Sequence, residues 1–451
     1  MKFLFQALVL LLVSNGAALA ADLLIVRAPS SYMQELSAKF RFNIQKRILG
    51  QDIYLVQSPA GITGAQLMRD LENYDYGKDP DTDDDDDDDV RAEDNFSVTL
   101  AETGDGLPRL VTNTTPVVNA ITNRTFVSFH GKQAWTGYVN QPSASRIRIS
   151  ETHRRYGTAG AIVAIIDTGI DPNHPLLADS IVSGYDFIRD LPGVPSELDD
   201  LDPLTRELLN PYTTAILDVL SEVNPYTTAI LDQFTARRLD AARLPPQFGH
   251  GTMVAGIIRL VAPSARIMPL KPFGGDGRAR LFHLLQAMYF AVDHGASVVN
   301  MSLSLAAPSE ELERAVEYAA SKGVVLVASV GNSGRETMSW PAGYQQVIGV
   351  AATSMQDTPA VFTNFGDNVT TIGAPGEAVI TLYPGGRYAA GWGTSFSAPM
   401  VSGAVSIMKR LKPSINWEKA EAAVKEAAPA TGGMGNGRLD MFRAVRKSTE
   451  F

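Results

Sequence analysis

Three short segments, far apart in the chain, carry the residue types of acyl transfer: AIIDTG around Asp167, HGTMVAG around His250 and GTSFSAPMVSGA around Ser395. A serine hydroxyl is a poor nucleophile near neutral pH unless a base removes its proton during the attack. Histidine titrates near neutrality, so His250 suits the part of base toward Ser395 and then of acid toward the leaving amine. A carboxylate completes such a set by holding the imidazole in one tautomer and stabilising the imidazolium, without taking the proton itself. Asp167 is the candidate for that part, and Asp171 is a nearby competitor that the surrounding motif disfavours. The other histidines do not share the setting of His250: His130, His153, His283 and His294 read as surface or packing residues, and His174 as a local contact near Asp167.

Each of these residues needs an element to hold it. Asp167 ends AGAIVAIID, a continuous apolar run of the kind found in strands buried on both faces. That places its carboxylate at the carboxyl edge of a sheet, where open α/β sheets build their sites. Similar runs occupy Ala265 to Leu270, Ala296 to Ser302, Val324 to Val330 and Val347 to Ala352, with helical segments RLFHLLQAMYFAVDHG and SEELERAVEYAASKG between several of them. SASRIRISETHRRYG reads as a helix ahead of the first strand. Alternating strands and helices imply crossovers, hence a mainly parallel sheet with helices on both faces. His250 heads the apolar helix TMVAGIIRLV, and Gly249 and Gly251 on either side allow close backbone packing. Ser395 heads a second, SAPMVSGAVSIM, after a tight turn at Gly393 and Thr394. The start of that helix offers backbone N–H groups and the positive end of a dipole, and Pro399 lies close enough to the start to be tolerated there.

Together these motifs, in the order Asp, His, Ser, resemble the subtilisin-like serine proteases (the subtilases, peptidase S8), and the resemblance runs from about Gln141 to about Val445. It implies an α/β three-layer fold with a mainly parallel sheet between helices, preceded by a small α+β propeptide-like domain. ASVGNSG puts Asn332 where that family keeps its oxyanion asparagine, just past the apolar strand VVLVASV. Substrate is then expected as an added strand, along edges that the resemblance places at Ser302-Leu303-Ser304, at Ser329-Val330-Gly331 and at Gly275-Asp276-Gly277. Two departures stand out. Ser304 and Leu305 replace glycines common after the Ser-Leu pair, which reshapes the expected specificity pocket. GIIRLVAPSARI leaves no room for the family's calcium loop, and Leu176 stands where a carboxylate often follows His-Pro. No metal or other cofactor is therefore required, and the sequence does not support a calcium site.

The N-terminal part divides further. Residues 1–20 read as an export signal, with Lys2, an apolar stretch from Phe3 to Val13 and small residues ending at Ala20. DLLIVRAP, SSYMQELSAKF, FNIQKRILGQDIYLVQS and ITGAQLMRDLENYD then give β-α-β-β-α, the last helix opened by Thr63 as N-cap. This pattern looks like an inhibitory propeptide over residues 21–76. An acidic linker and maturation region follows at 77–134, and the catalytic domain spans 135–446 with an insertion at about 190–245. The stretch from Val90 to about Gly131 has room for a last propeptide strand and the maturation junction, whose bond the sequence does not locate. Within the insertion, which reads as a surface elaboration beside the cleft, NPYTTAILD occurs twice, at 210–218 and 224–232, a spacing that would put both copies on the same face of one helix, although each Asn-Pro also invites a helix start.

Composition sets the outer limits. The chain has 451 residues, is 45% apolar and contains no cysteine, so disulfides, thiol nucleophiles and Cys-ligated metals are excluded. Its formal charge of −10 is local, because removing the seven aspartates Asp83 to Asp89 leaves −3. There is no basic patch with interleaved aromatics to support nucleic-acid binding, and no later segment reads as a membrane anchor. The expectation is a secreted or periplasmic monomer acting on polypeptides, with its own propeptide as a partner in cis. Two other readings remain: a serine esterase, opposed by the triad order and the lack of a Gly-x-Ser-x-Gly elbow, and a silent binding scaffold, opposed by the presence of all four functional residue types.

Overall fold

The computed structural model describes residues 22–74, 90–101, 125–209, 222–224, 228–231, 244–366 and 369–451. The segment expected as a signal, the aspartate run and most of the repeat lie outside the described residues. Two units divide the chain at Asn95.

In the first unit, strands lie in the order Asn43–Ile48, Ile53–Gln57, Leu23–Arg27 and Arg91–Asp94, all antiparallel. Helices Ser30–Phe40 and Gly64–Glu72 supply Met33, Leu36, Leu67 and Leu71 to a core shared with Leu24, Val26 and Val56. Thr63 caps the second helix, its hydroxyl accepting from the Gln66 N–H at 3.2 Å. The unit runs past the boundary expected at residue 76, because Arg91–Asp94 pairs with Leu23–Arg27 and completes the sheet.

The second unit is built on an eight-stranded sheet. In spatial order its strands are Leu191–Gly193, Gly184–Asp186, Arg266–Lys271, Ile162–Ile166, Val298–Met301, Val325–Ser329, Val347–Thr353 and Ile372–Pro375. All neighbours are parallel except the first pair, a short hairpin. Side chains alternate across a strand, and the core shows it: Val163, Ile165, Val298, Val325 and Val327 pack with the helices His250–Val261 and Thr394–Leu411. Ala164, Ile166, Val299 and Leu326, equally buried, point to the other face. There the helices Leu281–Asp293 and Glu310–Ser321 pack on the sheet and on one another.

Three expectations are corrected. The helix expected over SASRIRISETHRRYG is broken into Pro142–Arg146 and Ile149–Tyr156. Arg148 between them is left-handed at φ 63°, where its guanidinium pairs with Glu151 and with Asp440. The repeat does not form one helix: in its second copy Thr228–Leu231 is extended and pairs with Arg387–Gly391, extending a hairpin made with Val379–Tyr383. The insertion is not wholly peripheral either, since Glu197 within it is buried.

Candidate active site

The carboxyl ends of the central strands carry the site. Asp167 follows Ile162–Ile166 directly and is fully buried. Its Oδ1 accepts from the Thr168 N–H at 2.8 Å and from His250 Nδ1 at 2.7 Å. Because an ionised carboxylate can only accept, that contact puts the histidine proton on Nδ1 and leaves Nε2 without one. Asp171 is excluded from this part: its Oδ1 accepts from the Asn173 N–H and its Oδ2 from the Gly385 N–H.

His250 is the first residue of the helix His250–Val261. The glycines beside it are there for space. A Cβ on Gly251 would stand 2.0 Å from the Gly169 carbonyl, and Gly249, at φ 90°, would place one 2.4 Å from the Tyr383 ring. The loop after Asp167 and the histidine helix can therefore meet only through glycine.

A second buried carboxylate, which sequence reasoning missed, holds this junction. Glu197 Oε1 accepts from the Gly251 N–H at 3.0 Å and from the Thr168 hydroxyl, while Oε2 accepts from the N–H and hydroxyl of Thr252. Burial pushes the Glu197 carboxyl up to about 7; the threonine hydroxyls and Lys271 act against the shift, and the Asp167 charge adds to it. The loop carrying Glu197 is fixed in turn by buried Lys271, which donates to Asp200, to the Thr168 carbonyl and to the Phe273 carbonyl at 2.6 to 2.9 Å. In the sequence Glu197 sits in the acidic run ELDDLD, and nothing there separates it from its neighbours.

Ser395 lies in the first turn of Thr394–Leu411 and has no solvent exposure. Pro399 has no N–H for the Ser395 carbonyl four residues back, and the Ser302 hydroxyl donates to that carbonyl instead, at 3.1 Å. The Ser395 hydroxyl donates to the Ser302 carbonyl at 3.3 Å. Phe396 brings its ring to 5.8 Å from that of His250, so the histidine lies against this first turn. Asn332 is held by Thr394, whose N–H and hydroxyl both donate to its Oδ1 at 2.9 Å. Its side-chain NH2 must then point the other way, where it donates to the Ala101 carbonyl at 3.1 Å.

Of the edge residues, Leu303 and Ser304 form a short strand, with Ser302 just before it. Gly331 sits at φ 97° and its carbonyl accepts from the Asn364 N–H. On the other side the extended segment is Arg278–Arg280 and not Gly275, whose carbonyl accepts from the Gln247 N–H. His174 is a structural contact: its Nδ1 accepts from the Leu176 N–H, its Nε2 meets the Arg387 carbonyl, and burial drops its pKa to about 4. No group of three or more His, Asp or Glu able to hold a metal ion occurs among the described residues, and none of their helices is long and apolar enough to cross a membrane.

Residues 158–444 match the model of the Subtilase family. The chain is 29% identical over 350 residues to the thermophilic serine proteinase of Bacillus sp. (strain AK1), covering 74% of this chain and 77% of that one. Subtilisin BL of Lederbergia lenta is 37% identical over 210 residues, 44% of this chain and 78% of the relative. Among solved structures, fervidolysin from Fervidobacterium pennivorans, a keratinolytic enzyme related to subtilisin, is similar with a TM-score of 0.66 at 20% identity. That likeness covers 96% of this chain but only 62% of fervidolysin.

Proposed function

The chain belongs to the Subtilase family of serine proteases, hydrolases acting on peptide bonds, and on that premise we propose that it is an endopeptidase working through Ser395, His250 and Asp167, with Asn332 as oxyanion donor. Ser395 Oγ adds to the substrate carbonyl as His250 Nε2 takes its proton. Asp167 keeps the proton on Nδ1 and stabilises the imidazolium. The oxyanion lies between the Asn332 amide and the Ser395 N–H, at the positive end of a helix. His250 then protonates the departing amine, and water repeats the sequence in reverse on the acyl-enzyme. Nucleophile, base and oxyanion donors all come from the chain, so the reaction proposed draws on no metal or other cofactor.

The observation that carries this reading is the 2.7 Å contact between the buried side chains of His250 and Asp167. Polypeptides are the substrates. The protein is made as an exported precursor, with residues 1–20 as signal and the first unit as propeptide acting in cis on a monomer; the signal-like composition of residues 1–20 and the four-stranded first unit support this. The test is labelling by a fluorophosphonate, compared with Ser395→Ala, beside hydrolysis of casein and of a lipid ester. Labelling lost in the variant, with casein cleaved in preference, is expected. Failure to label would mean a silent scaffold, and preference for the ester an esterase.

A further inference from the structure

The strand Ser97–Leu100 belongs to neither the central sheet nor that of the first unit. It lies between two short segments and runs antiparallel to both. Ser97, Val98 and Thr99 face Arg280, Ala279 and Arg278 on one side, while Thr99 and Leu100 face Ser304 and Leu303 on the other. The Leu100 N–H donates to the Gly277 carbonyl at 3.0 Å, and the Leu281 N–H donates to the Phe96 carbonyl at 3.1 Å. This is main-chain recognition of an extended peptide by strand addition, which asks little of sequence. The next residue supplies the chemical clue. Ala101 presents its carbonyl to the Asn332 NH2, a group whose orientation the Thr394 N–H fixes, because a backbone N–H can only donate.

From this placement we propose that the peptide bond on the carboxyl side of Ala101 is the one the chain cuts in itself. The proposal rests on the protease reading above and adds the bond and its recognition. Ser395 Oγ bonds to the Ala101 carbonyl carbon, and the C–N bond to residue 102 breaks. His250 passes the serine proton to that nitrogen, giving a new amino terminus, and water then cleaves the ester to leave Ala101 as a carboxylate. Ala101, Leu100 and Val98 are 6%, 1% and 1% exposed, whereas Ser97 is exposed. The recognised features are thus a small residue before the bond and aliphatic residues two and four positions before it. A long or charged side chain in place of Ala101 would have to be buried there. Until the segment leaves, Ser395 has no exposure through which to meet another substrate.

The full chain and its Ser395→Ala variant, expressed identically in a host without exported proteases of its own, are compared by intact mass and amino-terminal sequencing, beside casein hydrolysis. A new terminus at Glu102 in the wild type only is expected. In Ala101→Arg, cleavage there falls about tenfold or more, while Ala101→Ser keeps it. Because a variant could fold poorly, the processed wild type is also given the peptide FSVTLAETGDG, which it cuts after alanine. Cleavage of the chain at another bond, or casein hydrolysis with residues 101 and 102 still joined, overturns this assignment and leaves the protease reading standing. Absence of both self-cleavage and casein hydrolysis, with no fluorophosphonate labelling, overturns the two together.

Discussion

The helices carrying the proposed base and nucleophile begin alike and are secured differently. Each opens on a glycine N-cap with no side-chain acceptor, Gly249 for the first and Gly393 for the second. In the histidine helix the N–H groups of Gly251 and Thr252 go to the Glu197 carboxylate. In the serine helix the Thr394 N–H goes to the neutral amide oxygen of Asn332. An anion at a helix start uses up its positive end; a neutral cap leaves it available. The helix that has only to aim a ring is closed by a carboxylate. The one beside which negative charge would develop in the proposed reaction is held by an amide whose other end faces the Ala101 carbonyl.

The largest break in this comparison is Ser395→Ala, for which turnover on peptides is expected to fall by about a millionfold, as in subtilisin itself. Asn332→Leu comes next. It removes the neutral cap and the proposed oxyanion donor together and should lower kcat by roughly a hundredfold to a thousandfold with KM little changed, a range also drawn from subtilisin. Glu197→Leu tests the other helix. It leaves the buried Thr252 N–H and hydroxyl without their acceptor, while the Gly251 N–H keeps the Thr168 hydroxyl and that hydroxyl keeps Asp167 Oδ1, so stability should drop by about 3 kcal/mol in chemical denaturation. Glu197→Gln, which keeps one acceptor oxygen, should lose less.

Titration of Glu197 sharpens the contrast. Its folded pKa of about 7 lies above the ordinary 4.5, so between those values the folded state binds the extra proton. Stability from this group is therefore present at low pH and is lost as pH rises from about 4.5 to about 7, by on the order of 3 kcal/mol. Unfolding measured in a Ser395→Ala background, which prevents self-digestion, should show that slope, and adding Glu197→Gln should flatten it. The smallest effect sets the scale of an ordinary cap: Thr63→Ala, in the first unit, should cost about 1 kcal/mol in thermal unfolding.

What the sequence made legible follows physical lines. Long apolar runs such as 162–166 and 347–353 show their strands because both faces are buried, whereas Gly184–Asp186 is three residues long and carries no pattern. The break at Arg148 depends on Asp440, 292 positions away, and no local rule reports a partner at that distance. Asp167, His250, Ser395 and Asn332 sit in motifs that constrain their neighbours, and the Gly251 contact with the Gly169 carbonyl shows why a neighbour is constrained. Glu197 has no such signature, since its role comes from the backbone groups that converge on it. The place of Ser97–Leu100 was equally hidden, because its partners lie about 180 to 200 positions further along.

The order of these positions along the chain has a meaning in time. Synthesis is vectorial, and domains emerge from the amino terminus onward. The segment proposed as the first substrate, at 97–101, is made first; the short strands that pair with it, near 278–280 and 303–304, come next. Ser395 is the last of the set to be translated. On the proposed assignment, the growing polypeptide thus holds a lock, and then the frame of the lock, before it possesses anything able to cut.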